Sequence, residues 1–317
     1  MDIQYLLFLQ DFRNSINDFL TPFMKAVSDF TISWLLLLPV FIYWCLNKRM
    51  GLFTLAGYSL GRWLNSLVKL TACVYRPWIR DPAVIPADGA KKTATGYSFP
   101  SGHCTSAMAL YGGTAIGFWK TKKTRILSIL FFFMILLTAF SRNYLGVHTP
   151  QDVITGLVLM SLCLFVTGKI FSFLEKYPEK ENFFLLGGLI LSLLMIIYIS
   201  LKPYPMDYDA AGKLIVDPKK MMEDGFKDAG ILAGFCIGRF VEKKWIQFNV
   251  AGLSPRGVIL SLVGFIPLEL IYISRHSFAP LLGKQAGNFV SHALLIIFII
   301  AIWPLVIKLM SKWCKKN

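Results

Sequence analysis

Charge is scarce in this 317-residue sequence: Asp, Glu, Lys and Arg together make up 16%, against about 25% in soluble domains. Acidic residues are the scarcer kind, 18 against 33 basic. Histidine is scarcer still, with four residues, so any histidine chemistry rests on very few positions. The six cysteines (Cys45, Cys73, Cys104, Cys163, Cys236 and Cys314) are scattered, with no C-x-x-C pair and no metal-ligand spacing. A disulfide framework and a zinc site are thereby excluded as organising features. Several of these cysteines fall inside apolar runs, where a free thiol behaves as a small hydrophobe. The net charge of +15 comes without the aromatic-interleaved basic face or the module of a nucleic-acid binder. No internal repeat or low-complexity linker interrupts the chain. The first apolar run, Leu6 to Leu9, is too short for the hydrophobic region of a signal peptide.

What the sequence has in place of charge is apolar residues, 55% of the total. A bilayer-spanning helix needs about 20 mostly apolar residues, and hydropathy together with breakers places such helices near 29–47, 51–70, 101–119, 126–141, 152–174, 183–201, 225–241, 257–274 and 290–311. The expected fold is therefore all-α: one polytopic helical membrane domain over 1–317 with about nine spans. Residues 3–28 set Ile3, Leu6, Leu7, Phe19, Leu20, Phe23 and Met24 among polar residues. That pattern suits an amphipathic helix lying in the interface.

Basic residues then orient the chain. The short connections hold Lys48, Arg49, Lys120, Lys122, Lys123, Arg125, Lys176, Lys180, Lys243 and Lys244, and the tail adds Lys312, Lys315 and Lys316. With nine spans all of these fall on one side, expected to be cytoplasmic along with the C-terminus. The remaining loops, near 71–100, 142–151, 202–224 and 275–289, share the opposite face.

Three polar clusters border that opposite face: Lys69-LTACVY-Arg76-Pro77, Pro100-Ser101-Gly102-His103 and Ser141-Arg142-NYLGV-His148-TPQ-Asp152. Ionisable residues at membrane helix ends are costly and default to functional readings. Phosphoryl transfer needs charge clamping and positioning above all, and Lys69, Arg76 and Arg142 can supply the clamp without a metal. Arg suits bidentate phosphate contact, Lys a point charge. Ser101 reads as an N-cap whose helix start offers free amides to an anion, and Gly102 allows close approach. Thr149-Pro150-Gln151-Asp152 reads as a second helix start, with Thr as N-cap, Pro first and an acid third. The residues sort into roles. His148 attacks phosphorus, Asp152 orients it, and His103 protonates the leaving group. Lys69, Arg76, Arg142, Ser101 and Gly102 hold the phosphoryl oxygens. No cofactor or metal is called for.

These clusters resemble the signature of the type 2 phosphatidic acid phosphatase (PAP2) superfamily: K-x6-R-P, P-S-G-H and S-R-x5-H-x3-D, complete and in order over residues 69–152. The resemblance implies metal-independent dephosphorylation through a phosphohistidine, with a catalytic core over about 29–180. Residues 181–317 then form a three-helix extension, a plan similar to the sphingosine-phosphate phosphatase and glucose-6-phosphatase branches. The expected substrate is a phosphorylated lipid (glycerolipid, sphingoid-base or polyprenyl phosphate) held in the bilayer. A lipid phosphotransferase, a phosphatase of a soluble sugar phosphate and a transporter retaining the phosphate site are the alternatives. Elsewhere, Arg62 reads as half of a buried ion pair or as lining for a substrate route, Arg239 and Glu269 as a structural pair. The loop Lys91–Tyr97 reads as a flap or as a solvated basic loop.

Overall fold

The structure, a computed structural model, describes residues 2–119 and 121–316. Lys120 therefore lies outside the described residues, as do the side chains of Lys315 and Lys316. The fold is all-helical: among the described residues no strand forms, and a lone bridge pairs Tyr208 with Leu214.

Among the described residues, five helices are long and apolar enough to cross a membrane: Arg125–Tyr144, Pro150–Lys176, Pro178–Leu201, Pro255–Ser274 and Lys284–Lys312. A sixth results if Thr21–Ser33 and Leu37–Leu46 count as one broken span. That is fewer than the nine expected, and the reason is compositional. The other expected segments are helical over Lys48–Ala72, Gly102–Ala107 running on through Gly113–Phe118, and Pro218–Val241. They carry Arg62 and Lys69, a run of small polar residues, or Asp224, Lys227, Asp228 and Arg239, which lower the hydropathy that marks a span.

The N-terminus also differs from expectation. It is two helices, Asp2–Ser15 and Thr21–Ser33, separated where Asn17 and Asp18 take positive φ, a conformation their short polar side chains tolerate. The first of them buries Leu6, Leu9 and Arg13. Arg13 donates to the carbonyls of Ile85 (2.7 Å) and Tyr144 (3.3 Å), which fasten this segment to the rest of the protein.

The chain divides into two compact units. One comprises Met1–Leu36, Leu64–Leu164 and Pro203–Met221. Its core clusters Met24, Ala87, Ala90, Ala94, Tyr144, Leu145 and Val147, with Trp78 and Leu137 packed against it. Every residue of the three motifs lies in this unit. The segment Pro203–Met221, left without a role in the sequence, belongs to it too: the Tyr75 hydroxyl donates to Asp207 at 2.6 Å.

The other unit comprises Leu37–Trp63, Phe165–Lys202 and Met222–Asn317. Small residues set its packing: a Cβ on Gly230 or Gly234 would stand 2.3 Å or 2.5 Å from the carbonyls of Phe289 or Ala293, the close helix approach that four-residue glycine spacing permits. Arg62 makes a bidentate pair with buried Asp228 at 2.9 Å, the ion-pair alternative of the two expected. Arg239 does not pair with Glu269, which is exposed. Its partners are Glu181 at 2.7 Å and Glu242, the latter one helical turn away, where an i,i+3 pair meets without reaching across helices.

Candidate active site

The spacing of the third motif follows from two helix ends placed back to back. The helix Arg125–Tyr144 closes in a Schellman motif. The Val147 amide bonds the Arg142 carbonyl (3.2 Å) and the Gly146 amide bonds the Asn143 carbonyl (2.9 Å). Gly146 takes φ +71°, and a Cβ there would stand 3.2 Å from Pro86 Cα. The turn leaves Arg142 in the last helical turn and delivers His148 two residues beyond the glycine. Asn143 then ties the His148 carbonyl at 2.8 Å.

The next helix, Pro150–Lys176, starts at once. Thr149 and Asp152 form a reciprocal capping box: the Thr149 amide donates to Asp152 Oδ2 (2.8 Å), and the Asp152 amide to Thr149 Oγ1 (3.4 Å). One carboxylate thus caps the helix and faces the imidazole, with His148 Nδ1 3.3 Å from Asp152 Oδ2.

The second motif joins this start directly. The Ser101 amide donates to the Asp152 carbonyl at 2.9 Å, and the Ser101 hydroxyl caps the helix Gly102–Ala107 by accepting from the Cys104 amide. Gly156 lets the two helices meet, since a Cβ there would lie 2.9 Å from the Ser101 carbonyl oxygen. His103 is buried in the first turn of the Gly102 helix, 6% exposed. Asn65, one turn before Lys69, donates to Thr105 Oγ1 at 2.9 Å and holds the same helix from the side.

The cations are arranged unequally. Lys69 Nζ donates to the carbonyls of Tyr97, Ser98 and Pro100 at 3.2, 3.2 and 2.7 Å. Arg76 donates to the carbonyls of Thr95, Gly96 and Val147. The loop expected as a flap or as a solvated segment therefore grips two motif cations through its backbone. Arg142 differs from both. It is fully buried, its Nη1 donates to Ser28 Oγ at 2.5 Å, and its Nε and Nη2 meet no hydrogen-bond partner among the described residues. Two buried guanidinium donors without an acceptor are costly, and the Nε–Nη2 edge is the side that grips a phosphoryl group bidentately.

Arg76 also decides the state of the nucleophile candidate. Its Nη1 lies 2.8 Å from His148 Nε2. A guanidinium only donates, so Nε2 carries the lone pair and the ring proton sits on Nδ1, facing Asp152. Burial, then the charges of Arg76, Arg142 and Lys69, hold His148 well below the ordinary histidine range. Arg76 is itself pushed down to about 9 by burial and by Arg142, which leaves it charged at neutral pH.

Two side chains at this site carried no motif signal. Ser98 donates to Asp152 Oδ2 at 2.5 Å and lies 3.4 Å from His148 Nδ1, so the carboxylate is held by a hydroxyl as well as by an amide. Ser28 stands more than a hundred positions from Arg142. Only a polar residue on the buried face of an apolar helix hinted at it.

A buried imidazole beside buried cations, in a chain with several membrane-length helices, defines a class: an integral membrane protein with a candidate anion site. The chain belongs to the PAP2 superfamily, whose model matches residues 50–175, while the model of the PAP2 superfamily phosphatase transmembrane extension matches 226–313. Among curated relatives, the chain is 27% identical over 208 residues to a probable sphingosine-1-phosphate phosphatase of Dictyostelium discoideum, covering 62% of this chain and 49% of that protein. It is 25% identical to lipid phosphate phosphatase gamma of Arabidopsis thaliana, covering 40% of this chain and 60% of the relative. It is also 25% identical to phosphatidylglycerophosphatase B of Bacillus subtilis (strain 168), covering 49% and 74%. The chain thus spans about half the length of the first of these relatives. No solved structure matches it.

Proposed function

We propose that this protein is a membrane phosphatase that hydrolyses a phosphorylated lipid through a phosphohistidine at His148. The observation that carries this reading is the His148 Nε2 lone pair, held 2.8 Å from a guanidinium and among three cations. An imidazole kept neutral so close to positive charge is set to attack an anion and not to bind a metal cation. The relatives named for sphingosine-1-phosphate, lipid phosphate and phosphatidylglycerophosphate support a lipid substrate, whose tail stays in the bilayer while its headgroup reaches the buried site. About nine spans with an interfacial N-terminal segment, and a site on the non-cytoplasmic face opposite a cytoplasmic C-terminus, complete the reading.

The steps follow from the geometry. Substrate phosphate enters against the unpartnered Nε–Nη2 edge of Arg142 and the amides at the Gly102 helix start. Arg76 Nη1 redirects its hydrogen bond from His148 Nε2 to a phosphoryl oxygen and keeps its proton, which frees the lone pair. Nε2 attacks phosphorus, the P–O ester bond breaks, and His103 gives its proton to the leaving alkoxide. Asp152, held by Ser98 and Thr149, stabilises the positive charge on the phosphorylated ring through Nδ1–H. Water, deprotonated by His103, then cleaves the P–N bond and returns inorganic phosphate.

A phosphate-release screen of the full chain in detergent, with excess chelator, tests this reading. The expected result is release from long-chain phospholipid or sphingoid-base phosphates, unaffected by chelator. Release confined to soluble sugar phosphates, or activity that returns only with Mg²⁺, contradicts it.

A pH profile tests the state of the nucleophile. Because burial and cations depress the folded-state value of His148, the imidazole stays neutral as pH falls through about 6.5, the unperturbed histidine value. The acid limb of kcat/KM, which reports the free enzyme, is expected well below that pH, while loss of the proton donor sets the basic limb. An acid limb at or above about 6.5 speaks against the assignment.

A further inference from the structure

We infer that Ser28, on the N-terminal helix Thr21–Ser33, is a positioning residue of the anion site: it fixes the Arg142 guanidinium so that its Nε–Nη2 edge faces the incoming phosphate. The inference rests on the phosphatase reading of that site and extends it to a helix outside the 50–175 stretch that the superfamily model matches.

Ser28 is fully buried, and its Oγ accepts from Arg142 Nη1 at 2.5 Å. It is the acceptor recorded for this guanidinium among the described residues, and Nε and Nη2 have none. A planar group hydrogen-bonded at one nitrogen, with the Nε–Nη2 edge buried and unpartnered, takes its orientation from that bond. The choice of a hydroxyl over a carboxylate also matters. Aspartate at this position would neutralise the cation and compete with phosphate for it. Serine adds no counter-charge of its own.

The helix that carries Ser28 is itself anchored close by. It packs against Arg125–Tyr144 and Gly102–Ala107, the helices that bring Arg142 and His103. Thr31, one turn beyond Ser28, lies with its hydroxyl 3.3 Å from that of Thr138, itself one turn before Arg142. Thr21 reaches the Tyr144 hydroxyl at 3.2 Å. The fasteners at Thr21 and Thr31 dock the helix, and Ser28 between them meets the charge.

The test uses the full chain in detergent and inorganic phosphate as the probe, read as the inhibition constant for phosphate alongside kcat, KM and the melting temperature. Ser28→Ala is expected to weaken phosphate inhibition and raise KM by on the order of 10- to 100-fold, the range of one hydrogen bond to a charged group. Ser28→Thr, which keeps the hydroxyl, is expected to restore both. Thr31→Val, a docking change on the same helix, is expected to lower the melting temperature and leave phosphate inhibition unaltered. Should Ser28→Ala fail to fold, Ser28→Cys, a weaker acceptor of nearly the same size, is expected to give an intermediate rise. Wild-type phosphate inhibition in the alanine or cysteine variant overturns the inference, as does an equal loss in Thr31→Val. Absence of phosphatase activity in the wild-type chain would instead remove the reading on which the inference rests.

Discussion

Turnover by the His148→Ala variant is expected to fall by on the order of ten-thousand-fold or more, the scale on which removal of a covalent nucleophile acts, while inorganic phosphate still binds. The two effects separate because different atoms carry them. On the proposed reading, phosphate affinity rests on Arg142, whose unpartnered Nε–Nη2 edge is untouched by the change, and on the amides at the Gly102 helix start. Removing the imidazole also releases Arg76 Nη1 from its 2.8 Å contact with Nε2, so one more donor becomes available to the anion. Phosphate inhibition is therefore expected to hold steady or strengthen as kcat collapses. Isotopic phosphate binding beside a single-turnover assay checks both. Substantial residual turnover would move the nucleophile elsewhere, and loss of phosphate binding would mean that His148 serves the anion site and not the chemistry.

Asp152→Asn is expected to cost roughly a thousand- to ten-thousand-fold in kcat with little change in KM, the pattern seen when a base-orienting carboxylate loses its charge. The argument is one of donors and acceptors. Asp152 Oδ2 lies within hydrogen-bond reach of the Ser98 hydroxyl, the Thr149 amide and His148 Nδ1. All three contacts fall on that one oxygen, so an amide oxygen in its place still accepts from Thr149, Ser98 and Nδ1–H but carries no negative charge. The Nδ1–H tautomer is then held less firmly, and the positive charge on the phosphorylated ring loses its counter-charge. Asp152→Glu tests the capping role separately, since it keeps the charge but displaces it. Steady-state kinetics with nitrogen-15 spectra of the His148 ring would show whether rate loss follows the tautomer.

The local geometry of the candidate site is more legible in the sequence than the architecture around it. The three motifs are local: Arg142, Gly146, His148, Thr149, Pro150 and Asp152 are dictated by one helix end and the next helix start, and turn chemistry of that kind is written in adjacent residues. Their convergence could be anticipated because each borders a helix end. What could not be read is the division of labour among the cations. Lys69 and Arg76 look equivalent to Arg142 in sequence, yet their donors are directed onto the carbonyls of residues 95–100 and of Val147. Such backbone contacts leave no trace in side-chain pattern. Ser98 and Ser28 were hidden for a related reason, since a lone serine carries no periodicity and one of the pair is 114 positions from its partner.

Span number is less legible. Hydropathy suggests nine segments, and among the described residues five or six helices pass on length and composition; Arg62, Lys69 and small polar residues dilute two of the helices that reach the site, while those bearing Arg142 and Asp152 pass. In the N-terminal segment nothing in the pattern marks Arg13 as a buried residue, yet it is 3% exposed and bonded to two carbonyls.

Oxygen exchange between inorganic phosphate and water tests the central claim without knowledge of the lipid. If His148 forms a covalent phosphoenzyme, phosphate labelled with oxygen-18 enters the site, phosphorylates Nε2 and loses one oxygen as water. Hydrolysis in unlabelled water then returns phosphate one label poorer. Progressive loss of label is predicted for the wild-type chain and none for His148→Ala, under conditions where both bind phosphate. Exchange that persists in the His148→Ala variant would contradict the account, because phosphorus would then be attacked by something other than this histidine.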